Sequence, residues 1–323
     1  MWDEVLNLIN HKITPQKAVA YWGGDVDSIV LISTGVNLVY RFHCHGNRYY
    51  LRVTHHKLRS MRELESALAF QDYLARSGIP VCQLICSQRG NQIESIQQGE
   101  NTFLAHVCAE VRGQAIDFNS PNASLYQNWG KALARLHDVS ARFKSEDFKY
   151  GCWAQEVIEL NDYCEHEKQY IQVELKKVID YLSHYSQNPK NYGLIHGDHR
   201  KGNVFTDGEH VYFIDFDLPR FCWFMDDISR PFFSSIVQDH QNWQDKLTFY
   251  LKGYFSIQSL ARELETFPWF IRYKLLSMYL WTKNNWKNDI MPGGHHTRNW
   301  LNLLFNKIIN QEWLKDLKTQ LPR

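Results

Sequence analysis

Apolar positions change rhythm along this chain. Up to about residue 109 they come in short β-branched runs, and beyond it mostly at three- and four-residue intervals. The runs at 29–32 and 38–42 flank Ser33-Thr34-Gly35-Val36-Asn37, which the turn rules make a hairpin loop. Residues 49–53 alternate, with Tyr50 and Arg52 on one face, and predict another strand; 103–108 predicts the last of this part. Between them, 60–74 has helical spacing, with Met61, Leu64 and Leu68 on one face, and stops at Gly78 with Pro80 beyond. The later part predicts helices at 125–137, 153–186, 241–260, 267–288 and 299–318, interrupted by two short strands at 203–205 and 211–214 around the tight-turn signal Asp207-Gly208. The pattern is that of an α+β chain in two parts, an antiparallel sheet with a helix over 1–108 and a larger helical part over 109–323.

Composition narrows the class. A chain of 323 residues with 44% hydrophobic and 22% charged content buries a full core, and its length suits one two-lobed unit. The net charge of +1 gives no reason to expect nucleic acid or an anionic membrane as a partner. Seven cysteines, odd in number, scattered and without a Cys-x-x-Cys pair, favour a reducing cytoplasm over a disulfide framework. Residues 1–9 lack the uninterrupted apolar core of a signal peptide, and no run approaches a membrane span.

The chemistry is concentrated in His196-Gly197-Asp198-His199-Arg200-Lys201-Gly202-Asn203 and, after the short hairpin, Ile214-Asp215-Phe216-Asp217. These supply a carboxylate, an amide oxygen five residues later and a second carboxylate that the hairpin returns to the same end. Phosphoryl transfer needs that set: one acid to orient the attacking hydroxyl, and an amide oxygen with a second acid to hold magnesium against the phosphates. An ordinary hairpin with surface acids is the bland alternative, and the ordered set of Asp198, Asn203 and Asp215 argues against it.

This segment resembles the catalytic loop of the aminoglycoside phosphotransferase and choline kinase superfamily, and the resemblance implies a protein-kinase-like fold with ATP and Mg2+ as cofactors. By it, Asp198 is the catalytic base, and Asn203 and Asp215 are magnesium ligands. Asp217, where protein kinases have the Gly of Asp-Phe-Gly, is a further metal ligand, and Asp227 braces the catalytic loop. The loop Ser33, Thr34, Gly35 and Asn37 covers the nucleotide phosphates. Arg52 stands where protein kinases carry a phosphate-gripping Lys, a role its planar fork suits. The family pairs that cation with a helix Glu, for which Glu65 is preferred to Glu63. Arg200, two residues after the base, is expected to neutralise phosphate charge. Glu110 and Gly113 match the exit from the hinge, and Gly130-Lys131-Ala132-Leu133-Ala134-Arg135-Leu136-His137 is a further resemblance, with His137 structural. The entry Phe267-Pro268-Trp269-Phe270 resembles bacterial members, including the homoserine kinase and stress-response kinase branches.

Other clusters carry less. His43 and His45 alternate on a strand, with no closed four-ligand zinc spacing, and Cys82 and Cys86 do no better. The aromatic residues of the helical part are mostly core by spacing, though Trp223, Trp269 or Trp281, with Asp217 and Asp226, are expected to wall an acceptor cleft. The function expected is transfer of the γ-phosphate of Mg-ATP to the hydroxyl of a small, amine-bearing metabolite. A Ser/Thr protein kinase and a non-catalytic ATP-binding module are the alternatives.

Overall fold

The computed structural model describes residues 4–5, 7–35, 37–144, 148–240, 242–259, 261–291, 294–314, 317 and 321. Val36 of the expected nucleotide loop and the two ends, Gln241 and Leu260, of the helix expected at 241–260 lie outside them.

The first lobe is an antiparallel sheet of β1 (Asp25–Thr34), β2 (Leu38–Cys44), β3 (Asn47–His55), β4 (Leu84–Ile85), β5 (Glu94–Gln98) and β6 (Asn101–Ala109). The order is β1-β2-β3-β6-β4, with β5 beside the start of β6. Alternation decides its two faces. Tyr40, Phe42, Leu51, Val53, Ala105 and Val107 are buried with Ala18 and Val19 of a helix α1 (Ile13–Tyr21). Sequence spacing missed this helix because it is short and buries small residues. Arg52 and His106, paired across β3 and β6, occupy the opposite face.

Helix α2 (Met61–Arg76) starts at a capping box: Ser60 Oγ accepts from the Glu63 amide, and Glu63 Oε2 accepts from the Ser60 amide at 2.7 Å. It buries Leu64, Ala67, Leu68 and Leu74, close to the expected face.

The second lobe is built on α3 (Ala123–Ser140), α4 (Trp153–Cys164), α5 (Gln169–His184), α6 (Phe224–Val237), α7 (Trp243–Phe255), α8 (Phe267–Asn285) and α9 (Thr297–Ile309). The helical stretch expected at 153–186 is two helices, broken between Cys164 and Gln169. Helix α6 was not expected, because Pro231 in its interior reads as a breaker. At the contact of α3 with α7 a Cβ on Gly130 would stand 1.9 Å from the Tyr250 carbonyl oxygen, so only glycine permits that approach.

Two small sheets position the loops. Strand β9 (Tyr192–Ile195) pairs antiparallel with β12 (Arg220–Trp223), which pairs parallel with β8 (Gly151–Cys152). Strands β10 (Val204–Thr206) and β11 (Val211–Phe213) form the hairpin, and β7 (Gln114–Ala115) adds to β10. No helix among the described residues is long and apolar enough to cross a membrane.

Candidate active site

The catalytic loop leaves the buried end of β9 and turns at Gly197, whose φ of +81° and whose missing Cβ, which would lie 1.9 Å from the Leu218 carbonyl oxygen, require glycine. Asp227 on α6 clamps this turn: its carboxylate accepts from the His196 amide at 2.7 Å and the Gly197 amide at 3.0 Å. The carboxylate is completely buried, with His137 at 3.4 Å, and His137 in turn meets the Tyr254 hydroxyl at 2.7 Å. Trp129 Nε1 donates to His199 Nε2 at 2.8 Å, so the His199 proton sits on Nδ1 and is donated to the Asp227 carbonyl oxygen at 3.0 Å. Burial holds His199 neutral, pulling its pKa down to about 3.

Asp198 follows this braced turn. Its Oδ2 accepts from Asn203 Nδ2 at 3.0 Å and from Arg200 Nε at 3.0 Å. Burial alone would raise the carboxyl, but Arg200, Lys274 and Arg230 together hold it below the usual carboxylate range, so it is ionised at neutral pH. Asn203, which ends a 3-10 turn before β10, spends its amide nitrogen on Asp198, and its Oδ1 is the atom left for a cation. The Ile214 amide donates to the Asn203 carbonyl oxygen at 3.0 Å, which brings Asp215 to the end of the hairpin where Asn203 stands. Asp215 is held at φ +70°, a left-handed conformation that a non-glycine residue seldom adopts outside sites that need it.

Across from this loop stands Arg52. Its Nη2 lies 2.5 Å from Asp215 Oδ1 and 2.6 Å from Asp217 Oδ2, and Arg59 Nη1 lies 3.2 Å from Asp217 Oδ1. Asn37 Nδ2 also donates to Asp217 Oδ2. Burial pushes Asp215 up, with Asp217 and Asp198 adding to it against Arg52, whereas Arg52 and Arg59 outweigh burial at Asp217 and hold it far down.

Several expectations are placed otherwise. Arg52 does not pair with a helix glutamate: Glu65 falls on the exposed side of α2, away from Leu64, Ala67 and Leu68, and Glu63 serves the cap. Asp217 was expected as a metal ligand, yet both its oxygens are engaged by protein cations and an amide. Ser33 and Thr34 are exposed at the end of β1, and the Gly35 amide donates to the Asn37 carbonyl oxygen across the turn. Arg200 is exposed and pairs with Asp198. No aromatic cleft wall forms from Trp223 or Trp269. Trp223 packs in the core against Trp153 and Tyr192, and Trp269 stacks on Tyr181 at 4.0 Å under Arg272. Asp226 is completely buried between Arg220 at 2.6 Å and Arg230 at 2.9 Å.

A model of the phosphotransferase enzyme family matches residues 29–234. The chain belongs to this family. Amicoumacin kinase of Bacillus subtilis (strain 168) is 25% identical over 275 residues, covering 81% of this chain and 82% of that protein. Among solved structures, amicoumacin kinase hAmiN in complex with AMP-PNP, Ca2+ and Ami superposes with a TM-score of 0.85 at 21% identity over 97% of each chain. A microcompartment-associated aminopropanol kinase follows at 0.78 and 20%, over 96% of this chain and 98% of that one. The two-lobed protein-kinase-like fold is thus shared, and this phosphotransferase is a kinase with an alcohol group as acceptor.

ATP and Mg2+ as its cofactors fit the groups present. Arg52 Nε is buried without a hydrogen-bond partner on the face of β3 turned away from the sheet core, a donor suited to a phosphate oxygen. A cation held between Asn203 and Asp215 would offset the burial and the neighbouring Asp217 and Asp198 charges that raise Asp215, and amide and carboxylate oxygens are the ligands magnesium takes.

Sequence reading missed Arg59, Lys274 and Arg230. Arg59 sits just before the α2 cap and carries no pattern of its own. Lys274 carries one: it falls three and four residues after Ile271 and Phe270 on a helix that buries both, where a lysine is out of place unless it serves a site. Burial pulls Lys274 down to about 8, with Arg230 adding to the effect. The signal for α6 was its pair of first-turn acids, Asp226 and Asp227.

Proposed function

We propose that this kinase moves the γ-phosphate of Mg-ATP to the hydroxyl of a small, amine-bearing metabolite. The observation that carries the reading is Asp198: an ionised carboxylate whose Oδ2 is held by Arg200 and Asn203, which leaves Oδ1 to accept the hydroxyl proton. Asn203 and Asp215 would hold the magnesium, which when bound supplies charge against the phosphates. Arg52, a permanent cation, binds and orients the nucleotide's phosphates from above. Asp198 orients the acceptor hydroxyl from below and takes its proton as the new phosphate ester forms.

The charged groups around Lys274, itself a neighbour of Asp198, are Arg230, Asp226 and Glu156, with Arg220 paired to the last two. Glu156 is partly exposed, and Arg220 Nε stands 3.2 Å from its Oε2. We assign it the acceptor's amine, since Asp226 is completely buried with both arginines on its Oδ2, whereas Glu156 is reachable from solvent. Amicoumacin kinase and aminopropanol kinase among the relatives agree with a small acceptor, and the latter's name with an amino alcohol. A protein substrate is disfavoured because only the short β12 joins Asp217 to α6, with no extended segment on which to dock a peptide. The seven free cysteines support a reducing, cytoplasmic setting.

The test is transfer from labelled ATP to amino alcohols, to the same alcohols without the amine, and to Ser/Thr peptides. Preference for the amino alcohols is expected, together with a roughly tenfold rise in the acceptor KM, and an unchanged KM for ATP, in Glu156→Gln. Transfer to peptides alone would replace this reading with a protein kinase.

A further inference from the structure

We infer that Asp217 is a positioning residue that latches the nucleotide lobe to the catalytic lobe, and not a ligand of the metal. Side chains from three separate segments of the first lobe converge on its carboxylate: Asn37 from the loop before β2 and Arg52 from β3 donate to Oδ2, and Arg59 from the turn before α2 forms an ion pair with Oδ1 at 3.2 Å. The carboxylate is nearly buried, its side chain 9% exposed, and all three partners belong to the opposite lobe. A magnesium ligand needs a lone pair facing the phosphates, whereas this carboxylate spends itself on protein cations. The latch stands in for the ion pair that the family resemblance led one to expect between a strand cation and a helix glutamate. With Glu65 exposed and Glu63 in the cap, the anion for Arg52 has moved from α2 to the end of the β10–β11 hairpin.

The division of labour follows from one nitrogen. Arg52 Nη2 touches Asp215 and Asp217 together, so when Asp215 turns its charge to a cation, Asp217 still keeps Arg52 in place. Arg52 Nε, which is unpartnered, is thereby presented at a constant position, and Asn37 holds the nucleotide loop over the same point. Arg59 is a second cation on the same carboxylate, at 3.2 Å from Asp217 Oδ1, so both carboxylate oxygens are occupied from the first lobe.

This inference rests on the chain binding ATP, and the experiment separates the two. Nucleotide affinity is measured by titration calorimetry, with magnesium and with EDTA, for wild type, Asp217→Asn, Arg59→Gln and the double variant. Wild type that binds no ATP in either condition overturns the nucleotide reading itself. For a latch, Asp217→Asn weakens metal-free ATP binding about tenfold and raises the KM for ATP but not for the acceptor. The magnesium concentration for half-maximal binding is unchanged. Arg59→Gln, which lies away from any metal ligand and keeps the inference testable if Asp217→Asn does not fold, weakens metal-free binding in the same direction. The double variant loses no more than Asp217→Asn alone, because both remove one interaction. Unchanged metal-free affinity in Arg59→Gln, or an Asp217→Asn defect confined to the magnesium requirement, overturns the latch.

Discussion

At the scale of single residues the carboxylates around the site differ in the partners that hold them. Asp198 has Arg200, Lys274 and Arg230 around it and is kept ionised; Asp227 has backbone amides and shapes the loop; Asp226 is spent on Arg220 and Arg230. Four acids within a short stretch of chain therefore do different things because their neighbours differ, Asp215 being the one that burial and two neighbouring aspartates push up. Asp198→Asn keeps the shape and the Asn203 contact but removes the base, so kcat should fall by about 10² to 10⁴. ATP affinity, read by calorimetry, should hold. Turnover equal to wild type would take Asp198 out of the mechanism.

Among the elements, α2 shows how a local signal can be read and its role still mistaken. Ser60 and Glu63 form the capping box that starts the helix where spacing predicts it, and that engagement removes Glu63 from any ion pair with Arg52. Ser60→Ala should cost about 1 kcal/mol in urea denaturation and leave the KM for ATP unchanged. A large KM effect would mean that α2 does hold the strand cation. Helix α6 is the counterexample: Pro231 hides it in the sequence, yet tertiary packing keeps it helical, and it delivers Asp226, Asp227 and Arg230 to the site.

For the molecule as a whole, the buried histidines behind the catalytic loop set how stability answers to pH. His199 titrates near 3 in the native state against 6.5 when free, and burial lowers His137 and His196 in the same direction. The unfolded chain therefore takes up protons that the native chain refuses as pH falls below 6.5, so stability is full above that value and is lost progressively towards 3. His199 alone should remove on the order of 2 kcal/mol by pH 5, because protonating Nε2 also breaks the bond from Trp129. Thermal midpoints at pH 7.5 and pH 5 check this, and equal midpoints would reject it.

The gathering of the proposed catalytic residues was legible because it is local. Asp198, Asn203 and Asp215 lie on one loop and one hairpin, so chain connectivity and β pairing carry them to one end without help from the rest of the fold. The strand-then-helix order was legible for the same reason, since periodicity of two or of three to four reports which face a residue buries. What the sequence left open is every partnership made across the cleft. Arg52 and Asp217 are 165 residues apart, and no spacing rule distinguishes Asp217 from Glu65 as the anion for Arg52. That choice depends on where two lobes meet, and the burial of Trp223, the pairing of Asp226 with two arginines and the arrival of Lys274 beside Asp198 depend likewise on how the helices of the second lobe pack. Charge pairing is decided by distance and desolvation in the folded molecule, and only the tertiary structure supplies both.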